Sequence, residues 1–203
     1  MIEPLRQQTA TYTYTDLLAW PEDDRWELLD GVPYNMSPAP SRQHQEILAA
    51  LYDQFHALLR NGPCRVYFAP FDVRLPKPGE DGMTASIVVQ PDLTVICERA
   101  KLDKRGAVGS PTLVIEIISP YTAKKDRQRK MRIYAQAGIP EYWIVAPAEQ
   151  TVEVYQLSEP RHYDAATVYQ YDDQIPVSAL TGLTIDLAHV FVDDGAEGTT
   201  SNS

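Results

Sequence analysis

The chain has 203 residues, of which 44% are hydrophobic, and its formal net charge is −10 at pH 7. This length supports one domain with a complete core. No apolar run approaches the roughly 18 residues that a membrane-spanning helix needs, and the N-terminus lacks the apolar core and cleavage site of a signal peptide. The negative charge argues against indiscriminate nucleic-acid binding, which requires a basic surface.

The two cysteines, Cys64 and Cys97, lie in apolar segments that are typical of strands. We therefore expect reduced core residues in a cytoplasmic protein, with a disulfide as the less favoured alternative. The spacing of Cys and His does not match a structural zinc site.

The N-terminal part of the chain predicts a short helix, a hairpin and a long helix. Thr15 can cap a helix over Asp16–Trp20, which ends before a proline. The pair Asp30-Gly31 separates two apolar runs and predicts a β-hairpin. Ser41 is the predicted N-cap of an amphipathic helix that continues to about residue 60 and places His44 on its buried side.

The rest of the chain combines apolar runs typical of strands with one further helix. Strands are predicted over Arg65–Ala69, Phe71–Leu75, 87–89, Leu93–Cys97, Leu113–Ile118, Tyr142–Ala146, Thr151–Leu157, Tyr163–Tyr171 and Leu183–Leu187. Thr122 can cap a helix through Ala137, which Gly138 ends. A strand, a helix and a strand at this spacing predict a right-handed parallel crossover. We expect one α/β (α+β) domain over residues 1–192 and a disordered C-terminal tail over 193–203.

One acidic residue interrupts a buried strand. Glu116 lies within Leu113–Ile118, where every other residue is aliphatic. An ionised carboxylate in such a run is costly unless a cation or several donors compensate it. Strand alternation places Glu116 on the same face as Val114 and Ile118. This residue is the strongest functional signal in the sequence.

A second carboxylate, Asp92, follows a proline at the edge of another buried strand, 24 residues before Glu116. If these strands are neighbours, the two carboxylates converge. Two such charges about 4 Å apart repel by roughly 4 kcal/mol at an effective dielectric constant of about 20. Either one carboxylate binds a proton or a divalent cation lies between them. Oxygen ligands favour Mg²⁺, with Mn²⁺ as a substitute, and such a cation can activate water and stabilise charge on phosphorus.

A lysine beside the two acids would complete a hydrolytic site. Six of the nine residues from Lys124 to Arg132 are Lys or Arg, and Lys130 lies at the border of the apolar stripe of this helix. We predict that Lys130 leans over the sheet as a catalytic residue and that Asp126 forms an i,i+4 pair with it. The remaining basic residues are expected to face either solvent or nucleic-acid phosphates, foremost Lys124, Lys125 and Arg127.

The order of these residues resembles two nested groups of proteins. Pro91-Asp92 followed by Glu116 in an apolar strand is similar to the PD-(D/E)XK nuclease superfamily. A finer pattern resembles the Uma-two family of restriction-endonuclease-like proteins over roughly residues 10–190. Its matching positions are Arg25 to Gly31, His44, Pro91-Asp92-Leu93, Leu113 to Pro120, Asp126, Lys130, Tyr134 and Gly138 to Trp143.

The resemblance implies a restriction-endonuclease-like mixed β-sheet core flanked by helices, with extra antiparallel strands at both ends. It also implies a Mg²⁺ site of Asp92 and Glu116. The superfamily places its lysine two residues after the glutamate, where this chain has Ile118, and the resemblance assigns that role to Lys130. Glu27 and His44 would support the site, Glu27 as an extra metal ligand. A cross-strand salt bridge of Glu27 and an ordinary half-buried His44 stay open.

The leading hypothesis is a Mg²⁺-dependent DNA endonuclease that hydrolyses phosphodiester bonds. The alternative is a nucleic-acid-binding or regulatory module that kept the fold and lost turnover, which the acidic charge and Ile118 favour. A two-carboxylate glycoside hydrolase ranks last, because no aromatic-rich segment surrounds Asp92 and the lysine has no role there. Cleavage of both DNA strands would favour a homodimer, by analogy with the fold.

Overall fold

The structure is a computed structural model and describes residues 11–21, 25–36, 39–159 and 161–191. The helices are α1 (Tyr14–Leu17), α2 (Arg42–Leu59) and α3 (Met131–Ala137). A π-helical segment, Lys125–Lys130, runs directly into α3, and two short 3₁₀ turns cover Arg99–Lys101 and Leu187–His189.

The strands are short and lie mostly in antiparallel pairs. In chain order they are β1 (Trp26–Leu29), β2 (Val32–Asn35), β3 (Arg65–Phe68), β4 (Asp72–Arg74), β5 (Val88–Val89), β6 (Leu93–Ile96), β7 (Leu102–Asp103), β8 (Gly106–Val108), β9 (Leu113–Ile117), β10 (Glu141–Ala146), β11 (Thr151–Ser158), β12 (His162–Tyr163), β13 (Thr167–Gln170), β14 (Gln174–Pro176) and β15 (Thr184–Asp186).

Two mixed sheets and one hairpin contain these strands. The first sheet has the order β2-β1-β5-β4-β8-β7, and the second has the order β12-β11-β10-β9-β6-β3 with β13 paired to β11. Strands β14 and β15 form the separate hairpin. Strands β9 and β10 are parallel neighbours, with the helical segment between them in sequence. This pairing confirms the predicted parallel crossover connection and the predicted mixed α/β (α+β) class.

Both faces of the second sheet are covered. Helix α2 packs its apolar side, including Leu51 and Phe55, on one face against strand residues such as Ile115 and Trp143. Helix α3 and the first sheet cover the other face, where Val114 is buried. Burial on both faces explains why β9 and β10 read as continuous apolar runs. It also means that a charged side chain in β9 must find its partners inside the protein.

Local signals account for the starts of α1 and α2, with one shift. The Ser41 side chain accepts a hydrogen bond from the backbone N–H of His44, as an N-cap should. Helix α1 begins at Tyr14 rather than at the predicted Asp16, because Thr13 and Asp16 form a capping box upstream. The predicted Asp30-Gly31 turn is confirmed, with both residues at positive φ as a two-residue hairpin requires.

The prediction of reduced cysteines is wrong. Cys64 and Cys97 form a disulfide that joins the ends of β3 and β6. The antiparallel register pairs Arg65 with Ile96, so the preceding and following cysteines lie opposite each other. Their separation of 33 residues hides this proximity in the sequence. Disulfides are uncommon in reducing compartments, so the cytoplasmic location stays a prediction that this bond does not support.

The structure does not test two other expectations, which concern the C-terminal residues. The predicted tail over 193–203 lies outside the described residues, and the domain boundary at residue 192 stays a prediction. Among the described helices, none combines the length and apolar content that crossing a bilayer demands.

The packing of α2 provides a test of this architecture. Leu51 is fully buried beneath the second sheet, whereas Leu58 on the same helix is 47% exposed. Leu51→Ala should lower the free energy of unfolding by about 2–5 kcal/mol, because it leaves a cavity in the core. Leu58→Ala is the matched control and should cost about 0.5 kcal/mol or less. Urea titrations of both variants measure the difference, and equal costs would contradict the packing described here.

Candidate active site

Strand register brings the two predicted carboxylates together. Strand β6 runs antiparallel to β9, and Leu93 pairs with Ile115. Asp92, one residue before β6, therefore lies beside Glu116 near the end of β9. The Asp92 carboxylate accepts a hydrogen bond from the backbone N–H of Ile117, with 2.7 Å between Oδ2 and N. The two strands are therefore neighbours, which the sequence analysis could only assume.

The predicted lysine reaches this pair from the helical segment. Lys130 is 2% exposed, and its Nζ donates a hydrogen bond to Oε1 of Glu116 at 2.8 Å. The hydroxyl of Tyr134, one helical turn later, donates to the same oxygen at 2.6 Å. Glu116, itself 4% exposed, thus has two donors on one carboxylate oxygen.

Glu27 contributes a third carboxylate from the first sheet. Its side chain is fully buried, with Oε1 2.7 Å from Nζ of Lys130 and Oε2 2.8 Å from Nζ of Lys125. The backbone N–H of Gln90 also donates to Oε1. The cross-strand neighbour of Glu27 is Tyr34, so the alternative reading as a cross-strand salt bridge is wrong.

The π-helical segment explains how two lysines reach one glutamate. The backbone N–H of Met131 bonds to the carbonyl of Asp126, five residues earlier. In an α-helix, side chains five residues apart point about 140° away from each other, because each residue turns the chain by about 100°. The wider π-helical turn brings positions i and i+5 close to one face. Lys125 therefore lies inside the cluster. A regular α-helix would turn it toward solvent, which is the position expected from the sequence.

Asp126 and His44 complete the group of polar side chains. Asp126 is 2% exposed, and its Oδ1 lies 3.8 Å from Nζ of Lys130 with no hydrogen-bond partner among the described residues. The i,i+4 pair is present, but it is buried rather than on the helix surface. Nε2 of His44 lies 3.3 Å from Oδ2 of Asp92, and the histidine is half-buried as predicted.

Burial and the neighbouring charges together shift the pKa values of the cluster. Burial, opposed by the Lys130 ammonium and reinforced by neighbouring carboxylates, raises the pKa of Glu116 to about 8. Burial also raises the pKa of Asp126. For Glu27, burial opposes ionisation, but the ammonium groups of Lys130 and Lys125 prevail and lower its pKa. Burial likewise opposes the charge of Lys130, yet the surrounding carboxylates raise its pKa well above the usual value.

The oxygen atoms of this cluster fit a hard divalent cation. Asp92 and Glu116 each use one oxygen for the contacts above, and within the described ranges no hydrogen bond occupies Asp92 Oδ1 or Glu116 Oε2. The described chain contains no group of three or more His, Cys, Asp and Glu side chains placed to hold a metal ion. A pair of carboxylates completed by water and substrate phosphate is nevertheless the usual Mg²⁺ arrangement.

A cavity of about 720 Å³ connects the cluster with the surface. Asp92, Glu116, Lys130, Asp126 and His44 all contribute to its lining. Other lining residues are apolar or basic and include Met36, Pro40, Leu48, Pro120, Arg25 and Arg127. The volume lies within the range of pockets that accept a small molecule or a comparable part of a larger one.

The remaining basic residues of the helical segment differ in their surroundings, whereas the sequence suggested that all of them face solvent or phosphates. Arg127 forms an ion pair with Glu153, and the guanidinium of Arg129 lies over the ring of Tyr34 at 4.9 Å. Lys124 is exposed. The nucleic-acid-binding roles of Lys124, Lys125 and Arg127 stay predictions, but Lys125 and Arg127 are engaged with carboxylates of the protein.

Sequence reasoning missed two contributors to this region. Tyr134 was only a motif position, although its hydroxyl contacts Glu116. Gln90 was overlooked, although its side chain bridges Arg25 and Asp72 while its backbone holds Glu27. The only indication of Tyr134 and Gln90 in the sequence was that they lie close to Lys130 and Asp92. Closeness in sequence by itself does not distinguish a site residue from any other neighbour.

Glu141 belongs to the motif but lies outside the site. It is fully buried, but its carboxylate accepts hydrogen bonds from the indole N–H of Trp143 at 2.7 Å and from the backbone N–H of Ala179 at 2.6 Å. It lies at the start of β10 and holds the segment before β15 in place. This acidic residue of the ordered pattern therefore has a structural role.

Comparisons with known proteins identify relatives in sequence and in fold. Residues 14–188 match the profile of the Uma2 family, described as "Putative restriction endonuclease". An uncharacterized protein of Synechocystis sp. is 25% identical over 168 residues, which cover 81% of this chain and 84% of that protein.

A solved structure of similar fold carries the description "putative nuclease belonging to DUF820" and comes from Anabaena variabilis. It superposes with a TM-score of 0.69 at 20% identity, covering 88% of this chain and 97% of that one. This likeness confirms the predicted restriction-endonuclease-like fold. Because the family profile spans most of the chain, the resemblance noted from the motifs is also confirmed: the chain belongs to the Uma2 family of restriction-endonuclease-like proteins.

Proposed function

We propose that this protein is a Mg²⁺-dependent endodeoxyribonuclease that hydrolyses phosphodiester bonds. The observation that carries the proposal is the buried contact of Lys130 with Glu116, beside Asp92 on the neighbouring strand. An acid pair with a lysine is a set of groups that can support metal-assisted phosphodiester hydrolysis. Membership in a family described as "Putative restriction endonuclease" supports the same reaction class.

Asp92 and Glu116 would hold the divalent cation through the oxygens that their protein contacts leave available. Such a cation, when bound, supplies Lewis-acid stabilisation of phosphate charge and lowers the pKa of a bound water. The excess of carboxylates in the cluster favours a cation at this place, since like charges that remain unpaired in a buried site are costly.

Lys130 would stabilise the negative charge that develops on the phosphate. Glu27 and Glu116 hold its ammonium from two sides at 2.7 and 2.8 Å, so its position is set before substrate arrives. Preorganised charge is effective because it needs little rearrangement during the reaction. Tyr134 fixes the Glu116 carboxylate by a hydrogen bond to the same oxygen that Lys130 contacts. His44 would position Asp92 through its contact with Oδ2.

One observation favours the alternative of a binding module without turnover. The ammonium of Lys130 already has two carboxylate partners. A lysine whose charge is balanced in this way stabilises the charge of a substrate phosphate less. A metal-binding measurement and a cleavage measurement together distinguish the two functions, because a module without turnover fails the second.

The cleavage prediction concerns the two carboxylates. Glu116→Gln and Asp92→Asn should each lower the rate of Mg²⁺-dependent nicking of a plasmid by about 100-fold or more, because each removes a ligand charge beside the reacting phosphate. Glutamine keeps the shape of Glu116 and can still accept from Tyr134. Gel analysis of nicked product with and without EDTA provides the rate.

The matched control for these variants is Glu98→Gln. Glu98 is exposed and follows the opposite end of β6 from Asp92, where it pairs with Lys101. Its substitution should leave the rate unchanged. Nicking that survives in Glu116→Gln, or that persists in EDTA, would refute the proposed mechanism.

Cation binding itself can be measured without substrate. Mn²⁺ titrated into the protein by calorimetry should bind at one site, and Glu116→Gln should weaken that binding about tenfold or more. Glu98→Gln again serves as the control and should bind like the parent protein. Binding that is equal in all three proteins would place the cation elsewhere.

The exposed lysine of the helical segment predicts the salt dependence of DNA binding. Lys124→Met should lower the slope of log K against log salt by about 1, because one phosphate contact and its released counterion are lost. Lys101→Met, which removes a lysine paired with Glu98 on the surface, is the control. Fluorescence anisotropy at several salt concentrations gives both slopes, and identical slopes would remove Lys124 from the DNA-binding surface.

A further inference from the structure

Most of the polar side chains of the proposed site lie below the surface. Glu27, Asp126, Lys130 and Glu116 are between 0% and 4% exposed, whereas the side chain of Asp92, at the same cavity, is 21% exposed. The cavity that reaches Glu116 and Lys130 has a volume of about 720 Å³. Pockets of this size enclose a ligand comparable to one nucleotide, whereas intact duplex DNA is far wider. A phosphodiester of a strand that has separated from its partner can therefore approach Glu116 and Lys130 more closely than one within an intact duplex.

An aromatic ring without a role in the fold lies at the rim of this cavity. Tyr121 contributes to the cavity lining and is 85% exposed. The next most exposed large hydrophobic side chains of the described residues, Tyr171 and Val168, are 52% exposed. Within the described residues, the Tyr121 side chain makes no hydrogen bond or ring contact. Aromatic residues normally stabilise a protein by burial, so packing does not explain this ring.

The backbone beneath the ring is held firmly. Ser119 and Thr122 exchange hydrogen bonds between side chains and backbone N–H groups, and the N–H groups of Thr122 and Ala123 both bond to the carbonyl of Ser119. This turn connects β9, which carries Glu116, with the helical segment that carries Lys130. A tyrosine has only two side-chain torsions, so a rigid turn presents it at a low entropic cost.

Basic groups accompany the ring. Lys124 is exposed in the next helical turn. Arg25 contributes to the cavity lining, as do Lys125 and Arg127, which are paired with Glu27 and Glu153. Positive charge that follows the backbone, combined with an aromatic platform for a base, is the common arrangement of proteins that bind single-stranded nucleic acid. Stacking tolerates any base, since every base has a π-face.

We infer that Tyr121 stacks on an unpaired nucleobase and thereby selects single-stranded or locally unpaired DNA as the substrate of this site. The inference rests on the proposed function for the reaction and deepens it by naming the substrate class. The ring holds the base at the rim while the adjoining phosphodiester enters the cavity toward Glu116 and Lys130.

Equilibrium binding without turnover tests the stacking role. The probe is a fluorescently labelled oligothymidine, measured by anisotropy in EDTA, with a duplex of labelled oligothymidine and oligoadenosine for comparison. The parent protein should bind the single strand more tightly than the duplex. Tyr121→Ala should weaken single-strand binding about tenfold, the usual effect of losing one stacked base. Tyr121→Trp should bind the single strand as tightly as the parent protein does, because tryptophan supplies a ring without the hydroxyl.

The control is Tyr171→Ala, which removes another exposed tyrosine from the turn after β13 and should leave both affinities unchanged. Equal binding by Tyr121→Ala and the parent protein would overturn the inference, as would tighter binding of the duplex or no binding of the single strand. Because no cleavage is measured, a failed stacking test leaves the proposed hydrolysis standing. Absence of cleavage in a protein that shows the Tyr121 effect would reject only the proposed hydrolysis.

Discussion

The structure depends on one buried ammonium group. Nζ of Lys130 contacts Glu27 from the first sheet and Glu116 from the second, so a single charge joins both sheets to the helix between β9 and β10. Removing one partner from a buried ion pair usually costs about 3–5 kcal/mol, because the other charge is left uncompensated. The same contact therefore holds the layers in register and places the chemistry at their junction.

The site concentrates unfavourable terms that the surrounding fold must offset. Four carboxylates converge on it, and Asp126 keeps a buried oxygen without a hydrogen-bond partner among the residues described. A run of π-helix replaces the regular helix at this position, and such segments are frequent at functional sites. Aliphatic residues of β9 and β10, buried on both faces of the sheet, provide the compensating stability. Buried charge and an irregular helix in one place indicate a functional site more strongly than any single motif does.

The family and the fold restrict the reaction class but leave the substrate open. A fold can host several activities, so the activity must be argued from the groups in the site. Here those groups are acidic and buried, while the approach to them is partly basic and carries an exposed tyrosine at its rim. The overall charge of −10 is therefore a poor guide to the local surface that a substrate meets.

Asp92, Glu116 and Lys130 were recognisable in the sequence because each is out of place where it stands: an acid in an aliphatic strand, an acid after a proline, a lysine beside an apolar stripe. Periodicity and capping likewise determined α2, β9 and β10, since these depend on residues close in sequence. The tertiary structure alone decided that Lys125 turns inward, that Glu27 arrives from another sheet, and that Cys64 meets Cys97. Those contacts depend on helical pitch and strand register over long separations, which no local pattern encodes.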